Sequence, residues 1–283
     1  MTSNAITQHS GFAQLQDLPC YLLTCGQATA VISSYGAHLL SYKPQAEVET
    51  IYLSPDAAWQ NNTPIRGGVP VCWPWFGPAA TEFNPAGQKL PNHGVVRTEL
   101  WQLVQQSVTE TAVSIELRIE TTALPYSNSP SYLSLTLQLT EAALTLTLNS
   151  DQGLQQAALH SYFTVDSVHQ VSVSSLSGDY LDKVKAGERF VQQQPELKFT
   201  AEVDRVYLDT AGELTLRQEK NAVLITQQGH DASVLWNPWT EKAAALKDLP
   251  DLAYLDFVCV ETARLSLTNT APLQLVQQIR YLG

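Results

Sequence analysis

The chain has 283 residues, 44% of them hydrophobic and only 15% charged, which excludes a disordered polypeptide and leaves enough length for a large core. Its 16 basic and 27 acidic residues give a formal charge of −11, the wrong sign for a nucleic-acid partner, although two or three converging arginines can still hold a small phosphorylated ligand. No run approaches the roughly 18 uninterrupted apolar residues of a membrane helix, and residues 1–15 show neither the basic start nor the apolar run of a signal peptide, so a cytoplasmic protein is expected.

The first candidate element is a helical turn at 56–59. From 61 to 94 the chain is irregular and dense in Pro, Gly and Trp. A loop this long in a compact domain is usually a functional surface or a lid. Strand signals follow. In 112–119 and 132–139 apolar side chains take every second position, and 144–148 repeats the pattern after a Glu-Ala turn. A period of two marks half-buried strands. The segments 171–173, 213–216, 222–225 and 233–236 continue it. A short helix is expected at 241–246, ahead of Pro250. The run 257–260 is apolar on both faces and reads as a central strand, and 273–281 is the last strand. Turn residues separate these runs at short intervals, as in a sandwich or barrel. Strands and helices do not alternate as a parallel sheet requires. Residues 66–69, Arg-Gly-Gly-Val, have neither P-loop nor dinucleotide spacing. The expectation is one all-β domain over 1–283, a large antiparallel β-sandwich with few short helices.

Of the four cysteines, Cys72 and Cys259 lie in apolar runs and read as buried thiols. Cys20 and Cys25 have the spacing to pair across a hairpin, but a reduced state is expected in a cytosolic protein. No pair has CxxC spacing.

Several segments carry chemistry-bearing side chains. His160, in LHSYF, shares an extended face with Tyr162 and reads either as a proton donor in a pocket or as a histidine satisfied by a backbone carbonyl under an aromatic lid. Glu261, in FVCVE, ends an apolar strand. Such a carboxylate either acts as a base of raised pKa or escapes to water or to Arg264. The segment 66–78, RGGVPVCWPWFGP, offers glycines for close backbone approach, an aromatic platform for a sugar face, and the Arg66 fork; it also reads as a rigid cover for one end of the sandwich. In PNHGVVR, His93 can orient a hydroxyl and Arg97 can join Arg66 around an anion, or the segment is a solvated turn. Asp204, in DRVY, is placed either to accept vicinal hydroxyls or to form a surface pair with Arg205.

Taken together, RGGVPVCWPWFGP, NHGVVR, LHSYF, DRVY, WNPW and CVET resemble the aldose 1-epimerase (mutarotase) superfamily, in particular its hexose-6-phosphate branch in bacterial form. The resemblance runs from Arg66 to Glu261 in the family's order, and the strand pattern on either side extends it over the whole chain. It implies a galactose mutarotase-like supersandwich with a sugar cleft on one sheet. It implies exchange of the α and β anomers of a hexose 6-phosphate, glucose 6-phosphate foremost, by acid/base ring opening and closure. His160 would be the general acid and Glu261 the general base. Arg66, Asn92, His93, Arg97 and Asp204 would bind substrate, the arginines near its phosphate. No metal or cofactor is implied, and the expected partner is a small-molecule sugar phosphate acted on by a monomer. Two positions depart from other members. Asn92 stands where eukaryotic members commonly have glutamine, and Thr262 where some have proline. The alternatives are a mutarotase for unphosphorylated aldoses, a non-catalytic carbohydrate-binding protein, and a metal-dependent sugar isomerase with His93, His160 and Glu261 as ligands.

Overall fold

The alternation read between 112 and 148 becomes three adjacent strands, Val113–Thr121, Ser131–Leu139 and Leu144–Ser150, in which apolar side chains are buried at alternate positions. Register places Leu117 opposite Leu135, and Leu135 opposite Leu148, so the leucines form a ladder on one face. Each fully buried leucine contributes about 1.5–3 kcal/mol of transfer free energy, enough for this face to fix the register. The computed structural model describes residues 4–121, 124–176 and 178–283, so the first three residues of the 1–15 segment lie outside the described part.

These strands belong to a nine-stranded antiparallel sheet that also holds Gln102–Val108 at one edge and Leu273–Leu282, Ala222–Gln228 and Glu213–Arg217 toward the other. An eight-stranded sheet packs on it. Its order runs Glu188–Val191, Asp179–Asp182, Val203–Leu208, Ala232–Asn237, Phe257–Arg264, Ala157–Leu159 and Val71–Cys72, with Tyr162–Thr164 also pairing to Phe257–Arg264. Side chains from both inner faces, among them Leu146, Leu159, Phe163, Val258 and Val260, share one core. The Phe257–Arg264 strand is buried along its whole length and central, as its two apolar faces predict.

A polar ladder crosses this apolar interface. Ser161 Oγ donates to Gln277 Oε1 at 2.5 Å, Gln277 Nε2 to Thr262 Oγ1 at 2.9 Å, Thr262 Oγ1 to Gln227 Oε1 at 2.8 Å, and Gln227 Nε2 to Ser233 Oγ at 2.9 Å. All five side chains are buried. Buried polar groups are tolerated when each is satisfied, and then they specify register. Ser161 and Thr262 point between the sheets. Their neighbours His160 and Glu261 therefore point out of the opposite face of the eight-stranded sheet.

One expectation needs correction, one sheet goes beyond the sequence reading, and one alternative is not taken. A further four-stranded sheet, Ala5–Phe12, Leu15–Cys25, Ala28–Ser33 and His38–Lys43, was not expected from the sequence pattern. Residues 56–59 form no helix, because the Ser54 hydroxyl accepts the Asp56 N–H at 3.2 Å and the Ser54 carbonyl accepts the Ala57 N–H at 3.1 Å, which closes a turn instead. Cys20 and Cys25 do not face each other across a hairpin. They sit an odd number of residues apart on one strand, their side chains enter different apolar clusters, and all four thiols are free and buried. The helix expected at 241–246 is present as Trp239–Ala245. Among the described residues no helix is long and apolar enough to cross a membrane.

Candidate active site

The outward face of the eight-stranded sheet floors a cavity of about 530 Å³. The irregular segment between 61 and 97 folds over it, and the Trp239–Ala245 helix with the residues after it closes another side. Arg66, Asn92, His93, Arg97, His160, Asp204 and Glu261, singled out from separate stretches of sequence, all line this one cavity. A second concavity of about 560 Å³, around Tyr180, Gln192 and Arg205, brings none of them together.

His160 follows the Ala157–Leu159 strand, where the chain breaks from regular pairing: its N–H donates to the Pro70 carbonyl at 3.0 Å. Glu261 projects from the central strand opposite Val234. The His160 Nε2 and Glu261 Oε1 atoms lie 3.4 Å apart, with side-chain exposures of 12% and 0%. Among the described residues, neither carboxyl oxygen of Glu261 has a hydrogen-bond partner, and His160 Nδ1 has none. The escape to Arg264 is not taken, because that guanidinium donates to the Ala271 and Pro272 carbonyls.

Burial acts on both groups. It pushes the Glu261 carboxyl well above the usual carboxylate range; the Lys183 ammonium opposes this and Asp204 adds to it. Burial pushes the His160 imidazole well below its usual value, helped by His93, Arg97 and Arg66. Both trends favour neutral side chains. An imidazolium–carboxylate pair and a neutral imidazole–carboxylic acid pair hold the same single proton and differ only in its place.

The walls fix these groups. The Tyr162 ring stacks on His160 at 5.1 Å between centroids and 14° between planes. The Tyr162 hydroxyl accepts from Arg66 Nη1 at 3.0 Å, and Arg66 Nε pairs with Asp248 at 3.2 Å. Trp236 meets the His160 ring edge-on at 6.1 Å. His93 adopts φ 63°, followed by Gly94 at φ 81°. A Cβ at Gly94 would lie 1.8 Å from the Trp73 carbonyl oxygen, so only glycine fits the turn that presents His93 to the cavity. His93 Nδ1 accepts the Gly77 N–H at 3.3 Å, and burial with the charges of Arg97, Lys183 and Arg66 lowers this histidine to about 3. It is a neutral hydrogen-bonding group. Arg97 Nη2 donates to the Asn92 carbonyl at 2.9 Å, so the backbone of Asn92 holds this guanidinium at the cavity wall. Asp204 lies 3.8 Å from the Lys242 ammonium, which also pairs with Glu202 at 2.8 Å.

The sequence pattern does not single out Lys183, Lys242 and Asp248, which line the same cavity. Each stands in a polar surface segment with no spacing signal, so only the fold reveals it. Among the described residues, the donor cluster with metal-ligating reach is His160, Cys259 and Glu261, whose ligand atoms lie within 4.8 Å of one another; His93 is not part of it.

The profile of the family described as aldose 1-epimerase matches residues 19–271. A candidate glucose-6-phosphate 1-epimerase of Escherichia coli K12 is 35% identical over 277 residues, covering 94% of this chain and 92% of that protein. The crystal structure of a candidate mutarotase from Salmonella typhimurium superposes with a TM-score of 0.88 at 30% identity, over 98% of this chain and 93% of that one. A galactose 1-epimerase from Lactobacillus acidophilus NCFM shares the fold at a TM-score of 0.76 and 14% identity, over 99% and 98% of the two chains.

Proposed function

The chain belongs to the aldose 1-epimerase family, and from that premise we propose that it interconverts the α and β anomers of a hexose 6-phosphate, glucose 6-phosphate foremost. The observation that carries this reading is the His160–Glu261 pair, 3.4 Å apart at the floor of a cavity whose histidine side carries two guanidiniums.

Ring opening needs one proton taken from the anomeric hydroxyl O1 and one given to the ring oxygen O5. Both oxygens are bonded to C1, so the acid and base must stand side by side, as His160 and Glu261 do, rather than on opposite sides of the C1–O5 bond. Glu261 takes the O1 proton as the C1–O5 electron pair moves to O5, which takes the proton from His160. The open-chain aldehyde turns about C1–C2. Return of both protons closes the ring as the other anomer. Each transfer contributes about 10²–10⁴-fold.

The phosphate assignment follows from the connectivity of the sugar. C6 is attached to C5, which bears O5, so the phosphate lies on the His160 side. Arg97 and Arg66 are the cations that act on His160. A phosphate dianion between them would offset the charges that hold the imidazole down and shift the shared proton toward it, the form that protonates O5. Asp204 and neutral His93 are placed to hold ring hydroxyls. On this reading 1–283 is one domain, working as a cytoplasmic monomer without metal or cofactor; four buried free thiols suit a reducing compartment.

The test is anomer exchange of glucose 6-phosphate at equilibrium, followed by magnetization-transfer NMR. A module that only binds sugar would leave the exchange at its buffer rate.

A further inference from the structure

Two ionisable groups of opposite type in the cavity, Glu261 and Lys183, keep unused hydrogen-bonding capacity among the described residues. Glu261 is fully buried and neither of its oxygens accepts a hydrogen bond. Of the cations around it, Arg66 is paired with Asp248, Lys242 with Glu202 and Asp204, and Arg97 is bonded to the Asn92 carbonyl. Lys183 alone among these cavity-lining cations makes no ion pair and no side-chain hydrogen bond with the described residues. Its ammonium lies 4.5 Å from the centre of the Phe76 ring.

The backbone holds it there. Lys183 begins a 3₁₀ turn at the end of the Asp179–Asp182 strand. The buried Asp182 carboxylate accepts the Val184 N–H at 3.1 Å and pairs with Arg205 at 3.5 Å, which anchors the turn to the Val203–Leu208 strand beside Asp204. Phe76 comes from the covering segment on the other side, and its N–H is held by Gln156 at 3.1 Å. The Lys183 ammonium therefore stands at the cavity wall beside the ring that packs edge-on against His93.

We propose that Lys183 is a further catalytic residue, its ammonium donating a hydrogen bond to the anomeric oxygen O1 while Glu261 takes the O1 proton. This rests on the anomer-exchange reading above. Lys183 transfers no proton. The O1 proton goes to Glu261, the O1–H electron pair becomes the C1=O1 π bond, the C1–O5 pair goes to O5, the His160 proton goes to O5, and the ammonium offsets the partial negative charge that O1 carries while its proton leaves. A cationic donor beside a developing oxyanion stabilises the transition state electrostatically. The field in the cavity is divided accordingly: Lys183 is the cation that draws Glu261 down against burial, while Arg97 and Arg66 act on His160.

The experiment compares Lys183→Met and Lys183→Arg with the unaltered protein on glucose 6-phosphate and on glucose. Lys183 is exposed on a turn, so both variants should unfold at the wild-type temperature. Lys183→Met is expected to lose at least about tenfold in kcat, by the same factor on both sugars because both have O1, with little change in KM; Lys183→Arg should restore part of it. A loss confined to KM for the phosphate ester would make Lys183 a phosphate ligand and overturn the proposal, as would unchanged kinetics. A second readout needs no turnover. The infrared carboxyl band of Glu261, identified by its absence in Glu261→Gln, should titrate at higher pH in Lys183→Met, with His160, Asp204 and Cys259 left in place. Coincident titrations would also overturn the proposal. If the unaltered protein leaves both sugars at their buffer exchange rates while the band still shifts, the functional reading fails and the Lys183–Glu261 coupling stands.

Discussion

Arg66 Nη1 donates to the Tyr162 hydroxyl at 3.0 Å, and the Tyr162 ring lies flat against His160. One guanidinium thus sets the tilt of the imidazole through the phenol. Tyr162→Phe removes the hydrogen bond and keeps the stack. It should lower kcat several-fold and leave KM for glucose 6-phosphate nearly unchanged, as read from steady-state exchange kinetics.

Arg97 has no such second duty. Arg97→Ala should raise KM for hexose 6-phosphates much more than for the free hexose, because a charge-assisted contact to a dianion is lost. Equal losses on both substrates would count against phosphate recognition at this end of the cavity. Arg66→Ala should combine the two phenotypes, with kcat reduced on both sugars and KM raised only for the phosphate ester.

A buried carboxyl without partners costs stability. Glu261→Gln leaves the shape in place and removes the ionisable group, so it should raise the melting temperature or leave it unchanged, with activity lost. Ser161→Ala should act in the opposite direction. It leaves Gln277 without one of its partners between the sheets and should cost about 1–3 kcal/mol in denaturant unfolding.

Burial lowers His38 from 6.5 to about 4 and His93 to about 3. Between those values and pH 6.5 the unfolded chain binds more protons than the folded one, so stability rises with pH there and is lost as pH falls through the window. Buried carboxyls such as Glu261, raised above their usual range, act in the opposite direction, so the histidine contribution is read as a difference between variants. His38→Asn should flatten part of that slope in melting temperature against pH.

Much of this architecture is legible in the amino-acid sequence. The period of two in 113–150 reflects one face on a core and one toward solvent, a pattern a single sequence shows directly. The run 257–260, apolar at every position, marks the centre of a sheet and makes Glu261, which ends it, conspicuous. The N-terminal strands are harder to read because their alternation is diluted: Leu15–Cys25 places polar and apolar residues irregularly, with Asp17 at φ 59°. Lys183 and Asp248 are invisible for a different reason. Their roles come from where turns end in space, and an isolated lysine or aspartate in a polar segment carries no mark of that.

The most direct test is the exchange rate between the α and β anomers of glucose 6-phosphate, measured by magnetization-transfer NMR with the unaltered protein and with His160→Ala and Glu261→Gln. Exchange proportional to enzyme concentration, reduced by about 10²-fold or more in each folded variant, is the expected result. Near wild-type exchange in either variant would contradict the assignment of these two side chains as the acid and base.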